Sequence, residues 1–108
     1  MRMIKVVIID DEQSSVELTT NLLKLSGVQT EIIATADSVA AGYQTLKNNS
    51  PDLVFLDVQM QDGTGFDLLK KFEVLTFKVI FITGFQEFAI NAFKYSAIDY
   101  LMKPVSPL

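Results

Sequence analysis

The chain has no histidine and no cysteine. That removes imidazole acid/base chemistry, thiolate chemistry, His-based metal sites and disulfides, so any reaction must run on carboxylates, hydroxyls and lysine. Such residues stand at telling places. Asp57 ends the apolar run Leu53-Val54-Phe55-Leu56, and Asp10-Asp11 follow Ile4-Lys5-Val6-Val7-Ile8-Ile9. Thr83-Gly84 ends Lys78-Val79-Ile80-Phe81-Ile82, and Lys103-Pro104 follows Ala97 to Met102. Each alone has an ordinary reading, since acidic pairs cap helices, threonine ends strands and a lysine is usually a solvated charge. Together they put three carboxylates at two segment ends, a hydroxyl at a third and an ammonium at a fourth, all after otherwise apolar runs. Three carboxylates within a few Å repel one another unless a cation is present. Mg²⁺ suits that inventory, because it takes oxygen ligands and usually binds one or two carboxylates together with a phosphate oxygen. A carboxylate beside Mg²⁺ can attack phosphorus and form an aspartyl phosphate. Lys103 would then be a point charge on the phosphoryl group, and Thr83 a hydroxyl donor to it.

The elements that must position these groups follow from the apolar pattern. Ile4–Ile9, Thr30–Ala36, Leu53–Leu56, Lys78–Thr83 and Ala97–Met102 read as strands, three of them apolar enough to be buried on both faces of a parallel sheet. Between them, Ser14–Ser26 carries Val16, Leu18, Leu22, Leu23 and Leu25 at helical spacing, with Gly27 as its stop. Asp37 and Ser38 are N-cap candidates for a second helix through Val39, Ala40, Tyr43 and Leu46. A loop with Gly63 and Gly65 leads to a short third helix through Phe66, Leu69 and Phe72, and Phe85, Ala89, Ala92 and Phe93 mark a fourth. Strand alternating with helix implies an α/β fold, a doubly wound parallel sheet with helices on both faces. In such sheets ligands bind outside the carboxyl ends of the strands, where all four polar groups would converge.

With 108 residues the chain is expected to be one domain, 1–108. The net charge of −4, with Lys70-Lys71 as the only basic pair, suggests neither direct nucleic-acid binding nor an anionic membrane partner. The amino-terminal apolar run is short and ends in Asp10-Asp11-Glu12 without a small-residue cleavage site, so it reads as a first strand in a cytoplasmic protein. A fifth helix should follow the last strand. Ser106-Pro107 looks like its start, yet the sequence stops at Leu108. The expectation is a fragment of a longer regulator that either associates through the uncovered face, as a homodimer, or is less stable than a version extended by one helix.

The ordered set Ile8-Ile9-Asp10-Asp11-Glu12, Leu56-Asp57 with Met60 and Gly65, Ile82-Thr83-Gly84, and Asp99-Tyr100-Leu101-Met102-Lys103-Pro104 resembles the receiver domain of two-component response regulators. The stretch from Thr83 to Tyr100 is similar to receivers that precede LytTR-type DNA-binding domains. The resemblance implies a flavodoxin-like (CheY-like) sheet in the order 2-1-3-4-5, with Asp57 as phosphoacceptor. It implies a Mg²⁺ site formed by Asp10, Asp11, Asp57 and the backbone carbonyl of Gln59. Thr83 and Tyr100 match the switch hydroxyl and switch aromatic, Lys103 the phosphate-contacting lysine, and the Lys103-Pro104 bond a cis peptide. The implied partners are a sensor histidine kinase and a LytTR-type output domain, and the implied role is transcriptional signalling without metabolite turnover. Gln61 stands where the family usually has proline, and Ser96 where it usually has glycine. Three rivals are a Mg²⁺-dependent phosphatase of haloacid dehalogenase type, a degenerate receiver that only binds partners, and a flavodoxin-like cofactor binder, against which no strand is followed by a phosphate-cradling loop rich in Ser, Thr and Gly. The first wants an acid two residues after the nucleophile, where this chain has Gln59, and the intact acid, hydroxyl and lysine set argues against the second.

Overall fold

The computed structural model describes residues 3–83 and 99–103, and the side chains of residues 3–82 and Lys103. In chain order the elements are β1 (Ile4–Ile9), α1 (Gln13–Leu25), β2 (Thr30–Ala36), α2 (Val39–Asn48), β3 (Leu53–Asp57), β4 (Gln59–Met60), β5 (Gly63–Thr64), α3 (Gly65–Leu69), β6 (Lys78–Thr83) and β7 (Asp99–Met102). Five of the strands form one sheet in the order β2-β1-β3-β6-β7, with every neighbouring pair parallel. Counted along the chain, that is the expected order 2-1-3-4-5. The expected fourth helix, the start of a fifth, and the Lys103-Pro104 bond lie outside the described residues.

Alternation along the central strands builds two cores. Val7 and Ile9 of β1, Val54 and Leu56 of β3, and Val79 and Phe81 of β6 pack on one face with Val39, Leu46, Phe66, Leu68 and Leu69. Those last five come from α2 and α3. Val6, Ile8, Phe55 and Ile82 point to the other face and meet Val16 of α1. Because successive side chains of a strand face opposite ways, an unbroken apolar run is what covering on both faces requires. Asp52 closes the amino-terminal end of the sheet: its N–H donates to the Lys5 carbonyl at 2.8 Å, its carboxylate accepts from the Lys5 N–H at 2.9 Å, and its carbonyl accepts from the Lys78 N–H at 3.0 Å.

Helix boundaries follow local chemistry. Ser38 is the N-cap of α2, its hydroxyl accepting from the Ala41 N–H at 3.0 Å. Thr64 caps α3 in a reciprocal box: its hydroxyl accepts from the Asp67 N–H at 3.1 Å while the Asp67 carboxylate accepts from the Thr64 N–H at 2.9 Å. Gly27, at φ 79°, follows the end of α1 in the left-handed conformation that a glycine adopts without strain. The segment after Asp57 differs from the plain loop expected from its glycines, because it folds into the two-stranded antiparallel hairpin β4–β5 with Gln61 and Asp62 at its tip.

Candidate functional site: a carboxylate cluster at the strand ends

Parallel register brings the polar strand ends together. Ile9 pairs with Leu56, and Leu56 with Phe81, so one residue further on Asp10 comes beside Asp57 at the carboxyl edge of the sheet. Thr83 ends β6 opposite Met102 of β7, and Lys103 follows directly. The side chains of Thr83 and Tyr100 lie outside those described, and the backbone places both residues on the two strands beyond β3.

Asp57 and Asp10 are almost wholly enclosed, at 3% and 5% exposure. Two carboxylates withdrawn from water need compensating donors. The lysine ammonium supplies them: Lys103 Nζ donates to Asp57 Oδ2 at 3.0 Å, to Asp10 Oδ1 at 3.3 Å and to Glu12 Oε1. Asp10 Oδ1 also accepts from the Glu12 N–H at 2.9 Å, which turns the chain into α1. Glu12 is the N-cap residue of that helix, yet its side chain makes no cap bond. It reaches Lys103 instead.

Burial pushes the Asp57 carboxyl up to about 6, with repulsion from Asp10 adding to the rise and the bond to Lys103 opposing it. Burial works against the charge on Lys103, but the bonds to Glu12 and Asp57 and the field of Asp10 outweigh it, holding the ammonium above the usual lysine range. Lysine is therefore firmly protonated, while Asp57 keeps its proton to unusually high pH.

Asp10, Asp11, Glu12 and Asp57 each bring a carboxylate oxygen within 4.8 Å of the others. A compact, purely oxygen donor set with excess negative charge fits a hard divalent cation such as Mg²⁺ and suits none of the softer metals that favour nitrogen or sulfur. The raised Asp57 pKa is the same fit seen from the acid's side, since a carboxylate disfavoured by its neighbours gains most from a nearby cation.

The structure thus brings together Asp10, Asp11, Asp57 and Lys103 as expected, with Gln59 opening the hairpin two residues beyond Asp57. Two participants were not anticipated. Glu12 joins the lysine network, and the run Asp10-Asp11-Glu12 was the visible signal for it. Asp62, at the hairpin tip, accepts from the Val39 N–H at 2.8 Å and the Ala40 N–H at 3.0 Å in the first turn of α2. Nothing local in the sequence marks that contact, whose partners lie 23 and 22 residues apart. The Thr64-Asp67 cap, by contrast, was readable as a hydroxyl followed three residues later by an acid.

Comparison with known proteins gives a consistent answer. Residues 6–108 match the response regulator receiver domain family. The chain is 40% identical over 106 residues to an uncharacterized response regulatory protein of Vibrio parahaemolyticus, spanning 97% of this chain and 43% of that protein. It is 37% identical over 105 residues to the sensory transduction protein LytT of Bacillus anthracis, spanning 94% of this chain and 42% of LytT. The chain therefore covers less than half the length of these curated relatives. Its fold is similar to the response regulatory domain of protein mrkE from Klebsiella pneumoniae, with a TM-score of 0.85 at 28% identity over 95% of this chain and 85% of that one. It is also similar to the REC domain of AraT, a response regulator from Geobacillus stearothermophilus, with a TM-score of 0.86 at 28% identity over 98% of this chain and 85% of that one.

Proposed function

The chain belongs to the response regulator receiver domain family, and on that footing we propose that Asp57 accepts a phosphoryl group from the phosphohistidine of a sensor histidine kinase. An Asp57 carboxylate oxygen attacks phosphorus. The new P–O bond forms as the P–N bond to the donor imidazole breaks, and the imidazole leaves, taking a proton from solvent. Lys103 exchanges its contact with Asp57 for a phosphoryl oxygen, carrying one positive charge to where negative charge accumulates. Asp10, Asp11, Asp57 and the Gln59 carbonyl would hold Mg²⁺, which when bound offsets the charge of the carboxylates and of the phosphoryl oxygens.

The observation that carries this reading is the enclosed Asp57 carboxylate, 3% exposed, held at 3.0 Å by Lys103 beside a second enclosed acid at the carboxyl edge of the sheet. Downstream, the Thr83 hydroxyl turns toward the phosphoryl group and Tyr100 moves into the space vacated, which biases a two-state signalling face. The relatives named LytT, and the length of chain those relatives have beyond this match, support an output domain of LytTR type in the full-length protein, acting on transcription. Among the described residues no helix is long and apolar enough to cross a membrane. The domain is a cytoplasmic signalling element with no metabolite turnover, and it passes its state on through an output domain or a homodimer.

The test is incubation with Mg²⁺ and acetyl phosphate, followed by intact mass. Wild type should gain one phosphoryl group and Asp57→Asn none; an equal gain in both would sink the assignment.

A further inference from the structure

The hairpin that follows Asp57 is held at three points. At its base the Gly65 N–H donates to the Val58 carbonyl at 2.8 Å, and Gly65 is so close that a Cβ there would lie 2.6 Å from the Asp57 carbonyl oxygen. On its outgoing side, Thr64 and Asp67 lock it to α3. At its tip the Asp62 carboxylate grips the Val39 and Ala40 N–H groups of α2 through both oxygens. The tip has need of that grip. Gln61 precedes Asp62 and carries no ring to fix its own φ, and Gly63 follows at φ 147° with the widest conformational freedom of any residue. Two short strands of two residues each cannot hold a hairpin unaided.

The same contact looks different from α2. The first N–H groups of a helix have no partner within it. Ser38 already satisfies Ala41, so a purely local cap exists, and Asp62 comes from 23 residues away to satisfy Val39 and Ala40. Val39 and Leu46 anchor α2 in the main core, so the helix is a rigid post to which the hairpin tip is tied.

We infer that Asp62 is a positioning residue for the phosphoacceptor loop: by clasping the amino terminus of α2 it holds the β4–β5 hairpin, and with it the Gln59 backbone, in place beside Asp57. The inference rests on the proposed role of that loop in divalent-cation binding. Asp62 itself stays at the hairpin tip and touches neither metal nor phosphoryl group.

A plain helix cap would serve stability alone, and Ser38→Ala provides that comparison because it removes a cap from the same turn without touching the hairpin. The experiment is Mg²⁺ titration of the unphosphorylated full chain, followed through backbone amide NMR shifts, in wild type, Asp62→Ala, Asp62→Asn and Ser38→Ala, with each variant's fold checked by its spectrum. Asp62→Ala should weaken Mg²⁺ binding about 10-fold, as removal of groups that orient metal ligands does. Asp62→Asn, which keeps one acceptor oxygen, should fall between, and Ser38→Ala should bind like wild type. Amide shifts of Val58 to Met60 should change in the Asp62 variants and not in Ser38→Ala. Equal affinity across the series, or equal weakening in Asp62→Ala and Ser38→Ala, overturns the inference. Because the readout is metal binding, a wild type that binds Mg²⁺ yet takes no phosphoryl group would refute the proposed function and leave the Asp62 comparison standing.

Discussion

Lys103 Nζ lies 3.0 Å from Asp57 Oδ2, joining residues 46 positions apart across the end of β6. One ammonium therefore serves the Asp57 carboxylate and, through its bonds to Asp10 and Glu12, the acids around it. Removing it leaves enclosed carboxylates facing one another without compensation.

The first expectation follows directly. In Lys103→Met the Asp57 carboxyl should rise further above its ordinary value, because the bond that opposes burial and Asp10 is gone. A hydrogen bond to a charged group is worth about 1.5–3 kcal/mol, so phosphorylation by acetyl phosphate should slow by about 10- to 100-fold. Time courses of intact mass measure this. A rate equal to wild type would mean that the lysine contact plays no part.

Asp57 should also make stability depend on pH and on divalent ions. Its folded pKa, about 6, stands above the ordinary 3.8, so the folded state holds the proton more tightly than the unfolded chain. That contribution is fully present below the unfolded value and is lost as pH rises through the folded one. Asp57→Asn, which carries no charge, should therefore be more stable than wild type at pH 7 in chelator by about 1–3 kcal/mol, with the gap closing toward pH 4. Mg²⁺ should raise the melting temperature of wild type more than that of the variant. Denaturant melts with and without Mg²⁺ read both effects.

At the hairpin tip the sign reverses. The backbone N–H groups of Val39 and Ala40 hold the Asp62 carboxyl below its ordinary value of 3.8. Its stabilising contribution is present above the unfolded pKa and is lost as pH falls through the folded one. The stability difference between wild type and Asp62→Asn should thus be largest near neutral pH and shrink below about pH 4. Parallel melts across that range check it, and a difference that grew on acidification would contradict the capping role.

Gly65 makes a steric prediction. An alanine Cβ would meet the Asp57 carbonyl oxygen at 2.6 Å and the Leu56 side chain at 2.9 Å, and the first of these is backbone that has no rotamer to change. Overpacking of this kind costs about 1–3 kcal/mol. Gly65→Ala should lower stability by that amount and shift the Asp57 and Val58 amides in NMR spectra. Gly27→Ala, at a positive-φ site with nothing within 4 Å of the added Cβ, should leave those amides unmoved.

Much of this architecture could be read from the sequence, because the signals for it are local. Whether Val54-Phe55-Leu56 is covered on both faces, where Ser38 begins a helix, and that each strand ends in a polar group all depend on near neighbours in the chain. Parallel strands then share one carboxyl edge whatever the details, so Asp10, Asp57 and Lys103 were bound to be candidates for one site. Thr83 and Tyr100 could likewise be placed on adjacent strands, and β6 and β7 carry them there.

Tertiary structure alone decided how the charges are shared and how the loop is held. Glu12 could have capped α1, as an acid at a helix start usually does, but Lys103 arrives from the far end of the chain and takes it. Asp62 carries no local sign of its partner, since its contact exists only because α2 packs on the face of the sheet from which the hairpin projects. The hairpin itself came out of two glycines that the sequence marks only as flexible. Apolar patterning is a property of adjacent residues. Hydrogen bonds across 23 or 46 positions appear only when packing has brought their partners within about 3 Å, a distance over which the sequence has no local say.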